Sequence, residues 1–189
     1  LMMIGWVSAG AQTLLIKAEA YLDVRSGKLQ KPANILIEKG LIKAINPAIT
    51  PEGAQIVNLP GKILLPGLMD MHVHLDMDLV PNYQNLVVTE NTAKNTLRGA
   101  KNAELTLMAG FTTVRDLGQV NPSIDLIAVA LASASDEGWI NAPRIIPAGH
   151  MIGITGGHAD LSMVGGLSEG VLNSGPEYGI ADGQAELLK

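Results

Sequence analysis

Between Thr13 and about Leu59, apolar positions fall in short runs broken by turn residues, which is the pattern of brief strands. Leu14-Leu15-Ile16 and Ala20-Tyr21-Leu22 read as two strands, followed by a turn at Ser26-Gly27-Lys28. Asn34 to Glu38 and Leu41 to Ile45 are separated only by Lys39-Gly40 and read as a hairpin. Pro47, Pro51 and Gly53 mark a loop, and Gln55 to Leu59 closes a small all-β unit.

After Pro60-Gly61 the pattern changes. Lys62-Ile63-Leu64-Leu65-Pro66 reads as a compact apolar strand, and a loop runs from Asp76 to about Val88. Ala93, Leu97, Ala100, Ala103 or Glu104, and Leu107 recur at helical spacing, with Gly110 where a C-capping glycine belongs. On that helix the basic residues from Lys94 to Lys101 read as a solvated face. Phe111 to Val114 is a β-branched strand. Asn121-Pro122 reads as the start of a second helix with Ile124, Ile127, Ala128 and Leu131 as its buried stripe. Arg144-Ile145-Ile146 is a third strand, a Gly-rich loop runs from Gly149 to about Gly179, and Asp182 reads as the N-cap of a last helix. This alternation is that of parallel βαβ units and fits either a Rossmann-like sheet or a (β/α)8 barrel. No Gly-x-Gly-x-x-Gly turn follows the first strand, which weighs against a dinucleotide fold.

Composition narrows the function classes. Thirteen Lys and Arg against 18 Asp and Glu give a net charge of −5 with no basic run, so a nucleic-acid partner is not expected. With no cysteine, a disulfide scaffold and a thiolate metal site are excluded. The apolar run Leu1 to Val7 and the small residues ending at Ala11 resemble the end of a secretory signal peptide cleaved after Ala11. On that reading residues 1–11 are a leader remnant and the protein is periplasmic or secreted. The other reading is a first β-strand in a cytoplasmic protein. The opening Leu leads us to expect further residues upstream.

Chemistry concentrates in Pro66-Gly67-Leu68-Met69-Asp70-Met71-His72-Val73-His74. On a strand, side chains two apart leave on one face, so His72 and His74 are expected to converge on one point. Two neutral imidazoles at the end of a buried parallel strand make half of a divalent-metal site. Asp70 is expected on the same face, either accepting a hydrogen bond from a ligating histidine or fastening the strand.

This stretch and the β unit before it resemble the amidohydrolase superfamily. The resemblance implies that Pro-Gly-x-x-Asp-x-His-x-His ends the first strand of a (β/α)8, TIM-like barrel, with His72 and His74 as metal ligands. It also implies an α/β fold in which residues 12–62 are part of a β-sandwich and residues 63–189 the first half of the barrel. Gly110 to Gly118, Pro143-Arg144 and Ile154 to Asp160 are similar to the imidazolonepropionase-related and prolidase-like branch, which includes Xaa-Pro and Xaa-Arg/Lys dipeptidases and hydrolases of N-acyl amino acids. Within its Gly-Gly-His pattern, His158 faces the substrate pocket or else is a loop histidine with a structural hydrogen bond. His150 is less well supported. After the second strand, Arg115 and Asp116 are expected to make an inter-strand salt bridge or support the site from behind rather than take part in catalysis.

The implied reaction is hydrolysis of the amide C–N bond of a dipeptide or N-acyl amino acid by a hydroxide held between two divalent metal ions, expected as zinc. The alternatives are a cyclic-amide hydrolase or deaminase on the same scaffold, and a non-catalytic fragment that needs the C-terminal half. A full barrel takes roughly 250 residues, so about half is present. The resemblance places a carboxylated lysine, two further histidines and an aspartate in the missing part. The chain alone is therefore expected to be inactive, its partners being the rest of the enzyme and a small-molecule amide, with the full enzyme a homo-oligomer.

Overall fold

A computed structural model describes residues 13–81, 83–119, 123–163, 172 and 174–188. Residues 1–11, with the leader reading they carry, and Asn121-Pro122 lie outside the described residues. The chain divides into two units, residues 1–66 and 67–189.

The first unit is a five-stranded sheet organised on β1 (Leu14–Asp23). β1 pairs antiparallel with β2 (Lys28–Gln30) through its last residues and with β3 (Ala33–Glu38) through its first. β3 and β4 (Leu41–Ile45) form the hairpin expected at Lys39-Gly40. Leu14-Leu15-Ile16 and Ala20-Tyr21-Leu22 are one continuous strand rather than two. A second departure is β5 (Gln55–Leu64), which pairs parallel to β1 and runs through Pro60-Gly61. Leu59 lies opposite Ala18 and Ile63 opposite Ala20, so the extra residues around Pro60 and Gly61 are absorbed in a bulge. The stretch expected as the first barrel strand is thus largely the tail of β5. Leu15, Ala20, Ala33, Ile35 and Leu36 are the buried hydrophobic residues described in this sheet.

The second unit holds the parallel sheet β6 (Leu68–Val73), β7 (Phe111–Asp116) and β8 (Arg144–Pro147), in that order. Between β6 and β7 lie α1 (Tyr83–Thr89) and α2 (Thr92–Met108), and between β7 and β8 lies α3 (Ile127–Asp136). Val114 and Ile145 pack with Leu75, Ala103, Ile127 and Leu131 into a core between the sheet and α2 and α3. Among the described residues, no helix is long and apolar enough to cross a membrane.

Several helix details differ from expectation. The loop read from Asp76 to Val88 contains α1. α2 buries Asn95, Gly99 and Ala103, whereas Leu97 is exposed. Its inner face is small and polar because Asn102 Nδ2 donates to the carbonyls of Leu75 and Met77 and to Asp78 Oδ1. The basic residues are not all solvated: the Arg98 side chain is only 13% exposed and pairs with Glu90, Asp78 and Asn95. α3 starts at Ile127, and Ile124 is exposed. Gln119 Oε1, eight residues upstream, accepts from Ile127 N, so a distant amide tends the helix start. The last helix, α4 (Gln184–Leu187), has Gly183 at its N-cap, and the Asp182 carboxylate turns away to Thr155.

Candidate metal centre and its cleft

β6 ends at Val73, between the two histidines, and its pairing with β7 is irregular there. Asp70 lies opposite Val114 and Val73 opposite Asp116, so β6 carries one more residue than β7 across that interval. The irregularity frees the His72 amide from regular pairing, and Asp70 Oδ1 accepts it at 3.0 Å. Asp70 thereby ties the strand end to itself over two residues. Arg115 Nε donates to the Met71 carbonyl at 2.9 Å, a hydrogen bond between strands rather than the salt bridge expected of it.

The His72 and His74 rings stand edge to face with centres 5.5 Å apart. His72 is exposed, and His74 is half-buried with Nδ1 2.6 Å from the Gly118 carbonyl oxygen. Both line a cleft of about 390 Å³, together with His158 and an apolar wall that includes Leu117, Met151 and Ile154. His158 is brought to the histidine pair by a loop braced by two carboxylates. Asp160 accepts from Gly156 N, from Ser162 N and Oγ, and from Ser174 Oγ. Burial pushes the Asp160 pKa up, but these bonds outweigh it and hold the carboxyl below its usual range. Asp182 accepts from the Thr155 hydroxyl and amide, which lower its pKa.

His150 is not among the cleft-lining residues. It bridges to Gln119 beyond the ends of β7 and β8, its ring is 6.4 Å from that of Tyr178, and burial lowers its pKa. Asp116 holds more of the structure around His74 than residue spacing shows. It is 1% exposed and accepts from Leu75 N through Oδ2 and from Gly118 N through Oδ1. Burial pushes its pKa up against those two bonds and the nearby His74. Asn102 and Arg98 were missed, although polar residues at 95, 98 and 102 repeat at helical spacing and signalled a polar inner face.

Among the described residues, no cluster of three or more His, Cys, Asp or Glu is arranged to hold a metal ion. The donor set nevertheless fits one metal on two imidazoles. With metal–nitrogen bonds of about 2.0–2.1 Å and a ring centre roughly 1.1 Å behind each nitrogen, two imidazoles on one ion have centres roughly 5–6 Å apart. The observed separation falls in that range.

A dihydroorotase of Geobacter sulfurreducens is 33% identical over 160 residues, covering 82% of this chain and 33% of its own length. A dihydroorotase of Carboxydothermus hydrogenoformans is 35% identical over 112 residues, covering 59% of this chain and 23% of its own. Among solved structures, a Xaa-Pro dipeptidase with methionine bound in its active site superposes with a TM-score of 0.77 at 29% identity, covering 93% of this chain and 42% of that one. A prolidase complexed with N-methylphosphonate-L-proline gives 0.71 at 25% identity, covering 91% and 41%. The chain thus spans a third or less of these curated relatives. The Amidohydrolase family model matches residues 63–186, the stretch that carries the histidine pair, the parallel sheet and the cleft, and the chain belongs to that family.

Proposed function

We propose that the protein hydrolyses an amide C–N bond, with His72 and His74 as two ligands of one divalent metal ion. The observation that carries this reading is the pair of imidazoles at one strand end, 5.5 Å apart and opening on one cleft. A divalent ion held there would lower the pKa of a water molecule and polarise the scissile carbonyl. His72 and His74 fix its position from a rigid strand. The wall of Leu117, Met151 and Ile154 receives the apolar part of the substrate. His158 faces the substrate from the opposite loop. Two histidines fall short of the three protein ligands of a catalytic zinc site, so the reading requires further ligands from the rest of the enzyme. The family resemblance supplies them as a carboxylated lysine, histidines and an aspartate.

For the substrate we favour a dipeptide or N-acyl amino acid, supported by likeness to the Xaa-Pro dipeptidase across 93% of the chain. Hydrolysis of a cyclic amide is the second reading, favoured by the dihydroorotase relatives. The test is the metal-loaded full-length protein assayed on Xaa-Pro and Xaa-Arg/Lys dipeptides, N-acyl amino acids and dihydroorotate. We expect turnover of a linear substrate, reduced in His72→Ala and in His74→Ala by more than the roughly 10–100-fold typical of losing an outer partner of a ligand. Turnover of dihydroorotate alone selects the second reading. Unchanged turnover in both variants, or in chelator-treated protein, overturns the metal assignment.

A further inference from the structure

Three consecutive residues at the end of β7 hold the three residues around His74. Asp116 Oδ2 accepts from Leu75 N at 3.0 Å, Leu117 N donates to the Val73 carbonyl at 3.0 Å, and the Gly118 carbonyl meets His74 Nδ1 at 2.6 Å. Asp116 also closes the turn on itself through Gly118 N. A carbonyl oxygen only accepts, so the bond at His74 requires the proton on Nδ1 and leaves the lone pair of the neutral ring on Nε2. The turn is braced from behind as well. Gly118 has φ +113°, and a Cβ there would lie 2.5 Å from Met151 N and 2.9 Å from the Gly149 carbonyl oxygen. Only glycine fits both the backbone angle and the approach of the chain that follows β8.

We infer that Asp116-Leu117-Gly118 is a positioning clamp that presents His74 to the metal through Nε2, with Asp116 the positioning carboxylate and Gly118 the orienting carbonyl. The inference rests on the metal reading above and adds to it which nitrogen ligates and what aims it. Asp116 is too deeply buried, and too fully engaged with backbone amides, to meet substrate. It acts through the turn. An asparagine in its place keeps one acceptor and loses the other, because an amide nitrogen cannot accept.

The test measures zinc affinity of the full-length protein by competition with a chromophoric chelator, with thermal unfolding of the metal-free variants alongside. Asp116→Asn and Gly118→Ala should each weaken zinc binding on the order of 10–100-fold in the otherwise native protein. In a His74→Ala background the same substitutions should change affinity by less than about twofold, because the side chain they act through is gone. Should Gly118→Ala fail to fold, Asp116→Asn decides alone. Equal losses with and without His74 would mean a general structural effect and overturn the clamp. No loss from Asp116→Asn where His74→Ala does weaken binding would also overturn it, leaving the metal reading intact. Zinc affinity indifferent to both His72→Ala and His74→Ala would take down both readings.

Discussion

The two faces of the β6–β7–β8 sheet are built to different ends. On one, Val114 and Ile145 are sealed under α2 and α3 with Leu131 and Ala103. On the other, Met69, Met71, Arg115, Arg144 and Ile146 are exposed. The histidine pair sits at the end of the strand rather than within the sealed core. Folding energy and chemistry are therefore drawn from different side chains, and substitutions should separate them.

The largest effect is expected on the sealed face. Leu131→Ala removes a fully buried side chain that contacts both the sheet core and the Gly99 notch of α2, and should cost about 2–5 kcal/mol by urea unfolding of the full-length protein. A loss under 1 kcal/mol, roughly a surface effect, would break the distinction between the faces.

A second effect depends on pH and arises at the edge of the sealed region. Hydrogen bonds from Lys94 and then Arg98 hold the Glu90 carboxyl below its ordinary value of 4.5. A lowered folded pKa means that the unfolded chain takes up the proton first. The stabilisation is complete above the ordinary value and is lost as pH falls through the lowered one. Glu90→Gln should lower the unfolding temperature at neutral pH and flatten the stability profile in that acid window. An unaltered acid slope would show that Glu90 contributes nothing to it.

The smallest effect is expected on the outward surface of α2, where Leu97 is exposed. Leu97→Ala should change stability by no more than about 0.5 kcal/mol. A larger loss would show that this face is covered in the full-length protein.

Much of this architecture was legible in local signals. The Lys39-Gly40 hairpin, β7, β8 and the part of the α3 stripe at Ile127, Ala128 and Leu131 follow from periodicity and turn chemistry, and the histidine pair from spacing at a strand end. What escaped was set by partners far along the chain. Pro60-Gly61 read as a boundary because nothing local shows that β5 continues past it beside β1, its extra residues forming a bulge. The start of α3 read early because its first amide is met by Gln119 rather than by an adjacent cap. For Asp116 the sequence offers a bridge between strands or support of the site, and only the turn at Gly118 shows what its two oxygens hold. Asp182 looked like a helix cap for the same reason, its actual donors lying 27 residues away on Thr155.

The polar inner face of α2 has one more consequence. A greasy interface allows a helix to settle in several neighbouring rotations, but Asn102 grips Leu75, Met77 and Asp78 while Arg98 reaches the Asp76 carbonyl. These directional bonds index α2 to the residues just past His74, so the helix works as a gauge whose reading is its rotation. Inserting or deleting a single residue before Asn102 would turn that side chain by roughly 100° about the axis and release the segment it grips. Length changes in α2 should therefore be far less tolerated than changes in its outward-facing composition, where Leu97 and Lys101 meet only solvent or a surface charge.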